Sequence, residues 1–178
     1  MKDDHGVFNN GILRFERMLP GPAERVWEYL TKSDKKGKWL AGGDVEPQMG
    51  GRVVLAFRHK ELAEQDDPVP DRHKEYKNGE EMYGEVTRWD PPRLLSYTWD
   101  GEPGEESEVT FELVPKGNDV LLILTHRRLG DIRTNIISVS SGWHTHLGIL
   151  SDVLNEKQPQ GFWKVHDQVE KEYEKRIE

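Results

Sequence analysis

The sequence predicts an α+β fold in which a curved antiparallel sheet of six to seven strands wraps one long C-terminal helix, with two short helices after the first strand. Three observations predict it. Short runs of period-two alternation separated by tight turns fill residues 82–127, the signature of an antiparallel meander. From Ile136 the period changes, and apolar residues recur every three or four positions, as along one face of a helix. Two further helical segments stand between the first alternating run and the second. At 178 residues the chain is the size of one domain with one core.

Each element has its own justification. "MKDDHGVFNN", residues 1–10, is polar and reads as a flexible N-terminus. "GILRFERMLPG" alternates Ile12, Arg14 and Glu16 against Leu13, Phe15 and Arg17 and stops at Pro20, as a strand does. "PAERVWEYL" places Pro22 at a first helical turn and Val26, Trp27 and Leu30 on one side. Ser33 and Asp34 can cap a second short helix ending near Trp39 and Leu40. After the turn "GGDVEPQMGG", the run "RVVLAFRH" puts Val53, Leu55 and Phe57 on one strand face. Residues 60–81 hold eight acidic and four basic residues and two prolines; so polar a stretch reads as an unpacked loop or lid. Beyond the meander, Val139, Trp143, Leu147, Leu150 and Leu154 form one stripe on a helix of about five turns. "QPQG" breaks that helix. Residues 161–177 then resume as a charged additional helix with Phe162, Val165, Val169 and Tyr173 as a narrower stripe. That helix can dock on its own sheet or on a second copy of the chain, and a homodimer stays open.

Composition narrows the function classes. With 25 basic against 33 acidic residues the net charge is -8, which repels phosphate backbones and anionic lipid head groups. Nucleic acid and membrane surfaces are therefore not expected partners. The absence of cysteine excludes disulfides and thiolate chemistry and fits a reducing compartment. No run has the apolar core of a signal peptide or the length of a membrane span, so the chain reads as cytoplasmic.

The order of elements, together with "RFERMLPGPAERVWEYLT", "KWLAGGDVEPQMGGRVVLAFRH", "DPPRLLSYTW", "SEVTFELVPKGNDVLLILTH" and "SGWHTHLGILSDVL", resembles the START-like (Bet v 1-like) helix-grip superfamily. Within it the match is to the branch named after the activator of the heat-shock protein 90 ATPase. The resemblance covers about residues 10–175 and the whole chain as one START-like domain. It implies a hydrophobic cavity between sheet and long helix, used in different members for lipids, polyketides or small aromatic molecules. The co-chaperone that names the branch also carries a separate N-terminal domain with no counterpart in these residues, so stimulation of that ATPase is not expected.

The histidines are the sharpest candidates for chemistry. On a helix each residue advances about 100°, so His144 and His146 point about 200° apart and cannot hold one ion between them. His59 and the carboxylates of residues 60–81 have no motif spacing, and no metal or cofactor is expected. His146 is the member of the pair that can face the cavity, while His144 leans to the rim. His126 is in phase with Val120, Leu122 and Leu124 on the concave face and is the best-placed polar group for a ligand. The bland reading is that both are core residues satisfied by the backbone or by each other. Phe57, Tyr97, Trp99, Phe111, Trp143, Leu147 and Leu150 would enclose the cavity, although Leu94 and Leu95 compete to set the face of Tyr97 and Trp99. Ser140 and Ser141 lack a nucleophile elbow and read as helix-start caps, so no catalytic residue is assigned. The leading expectation is binding of a small hydrophobic or aromatic molecule. The alternatives are a cyclase-like or hydrolase-like enzyme with a cavity histidine as general base, and a co-chaperone-like interaction domain.

Overall fold

A computed structural model describes residues 3–178. Seven antiparallel strands form one sheet in the order β1-β2-β7-β6-β5-β4-β3: β1 Val7–Asn9, β2 Ile12–Pro20, β3 Arg52–Phe57, β4 Glu80–Asp90, β5 Leu94–Thr98, β6 Glu108–Lys116 and β7 Asp119–Arg127. Helices α1 Ala23–Thr31 and α2 Ser33–Lys36 follow β2, and α3 Arg133–Leu154 and α4 Phe162–Arg176 close the chain. The expected α+β architecture, with a curved sheet and a long helix against it, is what the chain adopts.

The alternation works as read. Val53, Leu55 and Phe57 are buried on β3, and Val120, Leu122, Leu124 and His126 on β7. Leu95 and Tyr97 are buried while Leu94 is only half-buried, which settles the face of β5. The α3 stripe from Trp143 to Leu154 joins the same apolar cluster.

Several local expectations need correction. Of the stretch read as a flexible N-terminus, residues 1–2 lie outside the described residues and Val7–Asn9 form a strand: β1 pairs with β2 around Asn10 and Gly11, whose φ values of 50° and 77° make an Asn-Gly hairpin turn. Ser33 does not cap α2; its hydroxyl accepts from the Gly43 backbone N–H at 2.9 Å. Ser140 and Ser141 lie mid-helix because α3 begins at Arg133, and Ser141 donates back to the Ile137 carbonyl at 2.7 Å.

Two larger corrections concern α4 and residues 60–81. Rather than lying on the sheet, α4 packs on α3 and buries Phe162, Trp163, His166, Val169 and Tyr173. The charged stretch does not stand off as an unpacked loop. It forms a short helical turn at Asp71–Tyr76 and packs Leu62, Val69 and Tyr76 against the core. Asp67 is buried at the start of α4, where its carboxylate accepts the backbone N–H groups of Trp163 at 2.9 Å and Lys164 at 3.1 Å. A carboxylate there satisfies orphan donors and meets the positive end of the helix dipole; acidity that looked like a sign of solvation is used as a cap. At the other end, the Arg133 guanidinium donates to the carbonyls of Glu174 at 2.7 Å and Ile177 at 2.9 Å.

Lys36 is wholly buried, and its ammonium donates to the carbonyls of Ala41, Gly42 and Val54 at 2.8, 3.0 and 3.1 Å. It ties the turn before β3 to that strand. Burial pushes its pKa down to about 8, with Asp44 opposing. Replacing Lys36 with Met should strand three carbonyls and cost about 2–4 kcal/mol in urea unfolding. Between pH 8 and the ordinary value of 10.5 the unfolded chain holds this proton more tightly. The lysine's own contribution to stability therefore rises with pH across that window. Wild type minus Lys36→Met should show that rise, and parallel pH curves would contradict it.

Candidate functional site

A cleft of about 410 Å³ opens where the ends of β3 and β5 meet α3 and α4. Phe57 and Trp99 come from the strand ends, Val139, Gly142, Trp143 and His146 from α3, and Phe162 and Trp163 from α4. His59, Arg72, His73 and Tyr76 come from the segment between β3 and β4. The aromatic walls are in contact: ring centroids are 4.9 Å apart for Trp99 and Trp143, 4.8 Å for His146 and Phe162, and 4.4 Å for His59 and Phe162.

Of the residues expected from sequence, His146, Trp143, Trp99 and Phe57 line this cleft. Tyr97, Phe111, Leu147 and Leu150 are buried in the apolar cluster behind it. His126 is brought to neither the wall nor the rim. It is wholly buried, and both ring nitrogens are engaged. The Trp143 indole N–H donates to Nδ1 at 3.0 Å. Because indole can only donate, Nδ1 carries no proton, so Nε2–H donates to the Ser107 hydroxyl at 2.8 Å. Ser107 in turn lies 3.3 Å from the Asp100 carbonyl, which accepts its proton. Burial pushes the His126 pKa down to about 3, in keeping with a neutral ring. The polar handle expected at His126 is thus a tie between α3, β7 and the β5–β6 loop.

His146 is different. Its Nδ1 lies 2.7 Å from the Trp39 carbonyl, an acceptor, so Nδ1 carries the proton and Nε2 presents a lone pair. Burial, with His59 nearby, pushes its pKa down to about 3. His144 is half-buried and lies outside the cleft lining: its Nδ1 is hydrogen-bonded with the Tyr173 hydroxyl at 3.0 Å, whose oxygen accepts from the Gly6 N–H at 2.8 Å.

Sequence reasoning missed the α4 half of the site. His166 and Glu170 are four residues apart, the spacing that places two ligands on one helix face, and that signal was legible. Nothing local indicated that His73 would meet them. His73 Nε2 lies 3.0 Å and His166 Nδ1 3.7 Å from Glu170 Oε2, and Arg72 pairs with the same oxygen at 3.0 Å.

Two outcomes follow from this geometry. Replacing His126 with Leu should leave the Trp143 N–H unpartnered, remove the donor to the Ser107 hydroxyl and destabilise the fold by about 2–4 kcal/mol in urea unfolding; a neutral result would remove its structural role. His126, His144 and His146 are all held below the ordinary histidine value of 6.5, down to about 3, 4 and 3. Below pH 6.5 the unfolded chain binds protons that the folded chain refuses, so stability falls as pH drops toward 4 and is complete above 6.5. Urea midpoints between pH 7 and 5 should decline steadily, and a flat series would contradict this.

Comparison with known proteins agrees with the fold. No curated protein matches the sequence. Among solved structures, a protein from Bordetella parapertussis is 42% identical, with 98% of this chain and 91% of that one aligned at a TM-score of 0.82. A putative protein of the dynemicin biosynthetic locus shares the fold at 18% identity and a TM-score of 0.65, over 85% of this chain and 49% of that one. The structure described as an Aha1 dimer from Colwellia psychrerythraea does so at 19% identity and a TM-score of 0.60, over 80% and 95%. The family model described as Activator of Hsp90 ATPase homolog 1-like protein matches residues 20–155, and with the sheet, α1, α2 and α3 arranged as above, this chain belongs to that family.

Proposed function

We propose that the chain binds a small, flat, hydrophobic or aromatic molecule in the cleft between β3, β5, α3 and α4. The observation that carries the reading is the cleft itself. Its 410 Å³ is within the range of small-molecule sites, and Phe57, Trp99, Trp143 and Phe162 supply aromatic faces for stacking. His146, whose Nε2 carries the lone pair, lines the same cleft, so a ligand hydroxyl or N–H is the matching polar end. The reading moves the polar contact from His126 to His146 and keeps the aromatic wall expected from sequence.

In the enzymatic alternative His126 is not the general base, since its Nδ1 already accepts the Trp143 N–H, and that role would fall to His146. The co-chaperone alternative rests on the family description alone. A homodimer is supported only by the dimer named for the Colwellia structure. No helix among the described residues is long and apolar enough to cross a membrane, and a cytoplasmic site of action is part of the proposal, consistent with the absence of cysteine.

Gly142 provides the test. It lines the cleft on α3, and a Cβ placed there meets no atom within 4 Å. Gly142→Leu should fill the cleft while favouring the helix by about 1 kcal/mol. Titration with anilinonaphthalene sulfonate should show at least a tenfold loss of affinity in the variant at unchanged or raised Tm. Equal affinity in both proteins would place the ligand elsewhere.

A further inference from the structure

The mouth of the cleft holds a second constellation that ligand stacking does not use. His166 and Glu170 project from one face of α4, and His73 reaches them from the turn Asp71–Tyr76. One nitrogen of each histidine and one oxygen of Glu170 lie within 4.8 Å of one another. His166 is only 6% exposed, and its Nδ1 is sealed from solvent with no hydrogen-bond partner among the described residues. A buried nitrogen left in that state costs about 1–3 kcal/mol. Its ring is held in place by Phe162 and Trp163, with centroids at 5.3 and 5.6 Å, and Nδ1 is the atom nearest the carboxylate.

We propose that His73, His166 and Glu170 bind a divalent first-row transition ion of the zinc class. Two imidazoles and one carboxylate are a donor set that suits such an ion and excludes magnesium and calcium, which take oxygen ligands. Bonds of about 2.0–2.2 Å in a tetrahedron hold donors roughly 3.4 Å apart. The distances from Glu170 Oε2 to His73 and His166, 3.0 and 3.7 Å, bracket that spacing. Within the surrounding ion-pair network the charge favours a cation: Asp167, Glu170 and Glu174 face Arg72 and Lys171, three carboxylates against two cations. Arg72 is the group the ion displaces from Glu170, and it keeps Asp167 and Glu174 as partners. Three protein ligands leave a fourth position for water or for a donor atom from the cleft. The proposal stands whether or not an aromatic molecule binds.

The test uses the full chain without an affinity tag, stripped with EDTA and titrated with zinc chloride by calorimetry and with cobalt chloride by visible absorption. One equivalent of zinc should bind, the cobalt form should show tetrahedral d–d bands, and zinc should raise Tm. His166→Ala and Glu170→Gln should each weaken zinc binding by about 100-fold or more and abolish the bands. Glu170→Gln keeps the side-chain shape and serves as the readout should His166→Ala fail to fold. His144→Asn, outside the cluster, should bind as wild type does. His5 stands between Asp3 and Glu172, at 2.7 Å from each, and is the competing donor group. Binding lost in His5→Ala, or unchanged in both His166→Ala and Glu170→Gln, would overturn the proposal.

Discussion

The hydrogen bond from the Trp143 indole to His126 Nδ1 is the constraint on which the cleft depends. A long helix laid on a curved sheet by apolar contacts alone is free to slide and roll, because burial is non-directional. A buried N–H is not free in that way, since leaving it unpaired is costly. Three residues along, His146 makes the second directional contact, to the Trp39 carbonyl. Between them they fix α3 against β7 on one side and against the segment after α2 on the other. Trp39 is itself fixed, because its indole donates to the Tyr29 carbonyl at 2.7 Å.

The same pair determines the chemistry the cleft can present. A donor aimed at Nδ1 of His126 fixes one tautomer, and an acceptor aimed at Nδ1 of His146 fixes the opposite one. One histidine is consumed by structure at both ring nitrogens and the other keeps a lone pair on Nε2. Two residues of one type, in one core, thus have different uses, and what separates them is the hydrogen-bonding partner of a single atom.

What was legible in the sequence followed from local periodicity. Strand alternation from Ile12 to His126 and the stripe from Trp143 to Leu154 record which face is buried, and β2 to β7 and α3 could be placed from them, though not β1. The site was legible in part, since Phe57, Trp99, Trp143 and His146 sit on those same elements. The remainder depends on contacts between distant residues. Asp67 meets Trp163 across 96 positions and His73 meets Glu170 across 97, and no window of sequence reports such a pairing. Charge misled for the same reason: Asp67 and Arg72 have the composition of a solvated loop, and only the docked α4 supplies their partners. The Asn10-Gly11 turn is a different case, a strong local signal passed over because the residues around it are polar.

The cap on α4 bears on how the cleft is reached. Phe162 and Trp163 close one side, and they are carried by a helix joined to the rest by the Asp67 carboxylate, the Arg133 guanidinium, the ion pairs of Arg72, the Tyr173 hydroxyl and packing on α3, with no place in the strand ladder. Such an element can detach at less free energy than global unfolding requires, as cooperative subunits of a native protein do. For the proposed ligand, exchange with solvent then depends on the strength of these ties taken together, whereas the sheet and α3 determine what fits once inside. Kinetics and selectivity are thereby assigned to different parts of the chain.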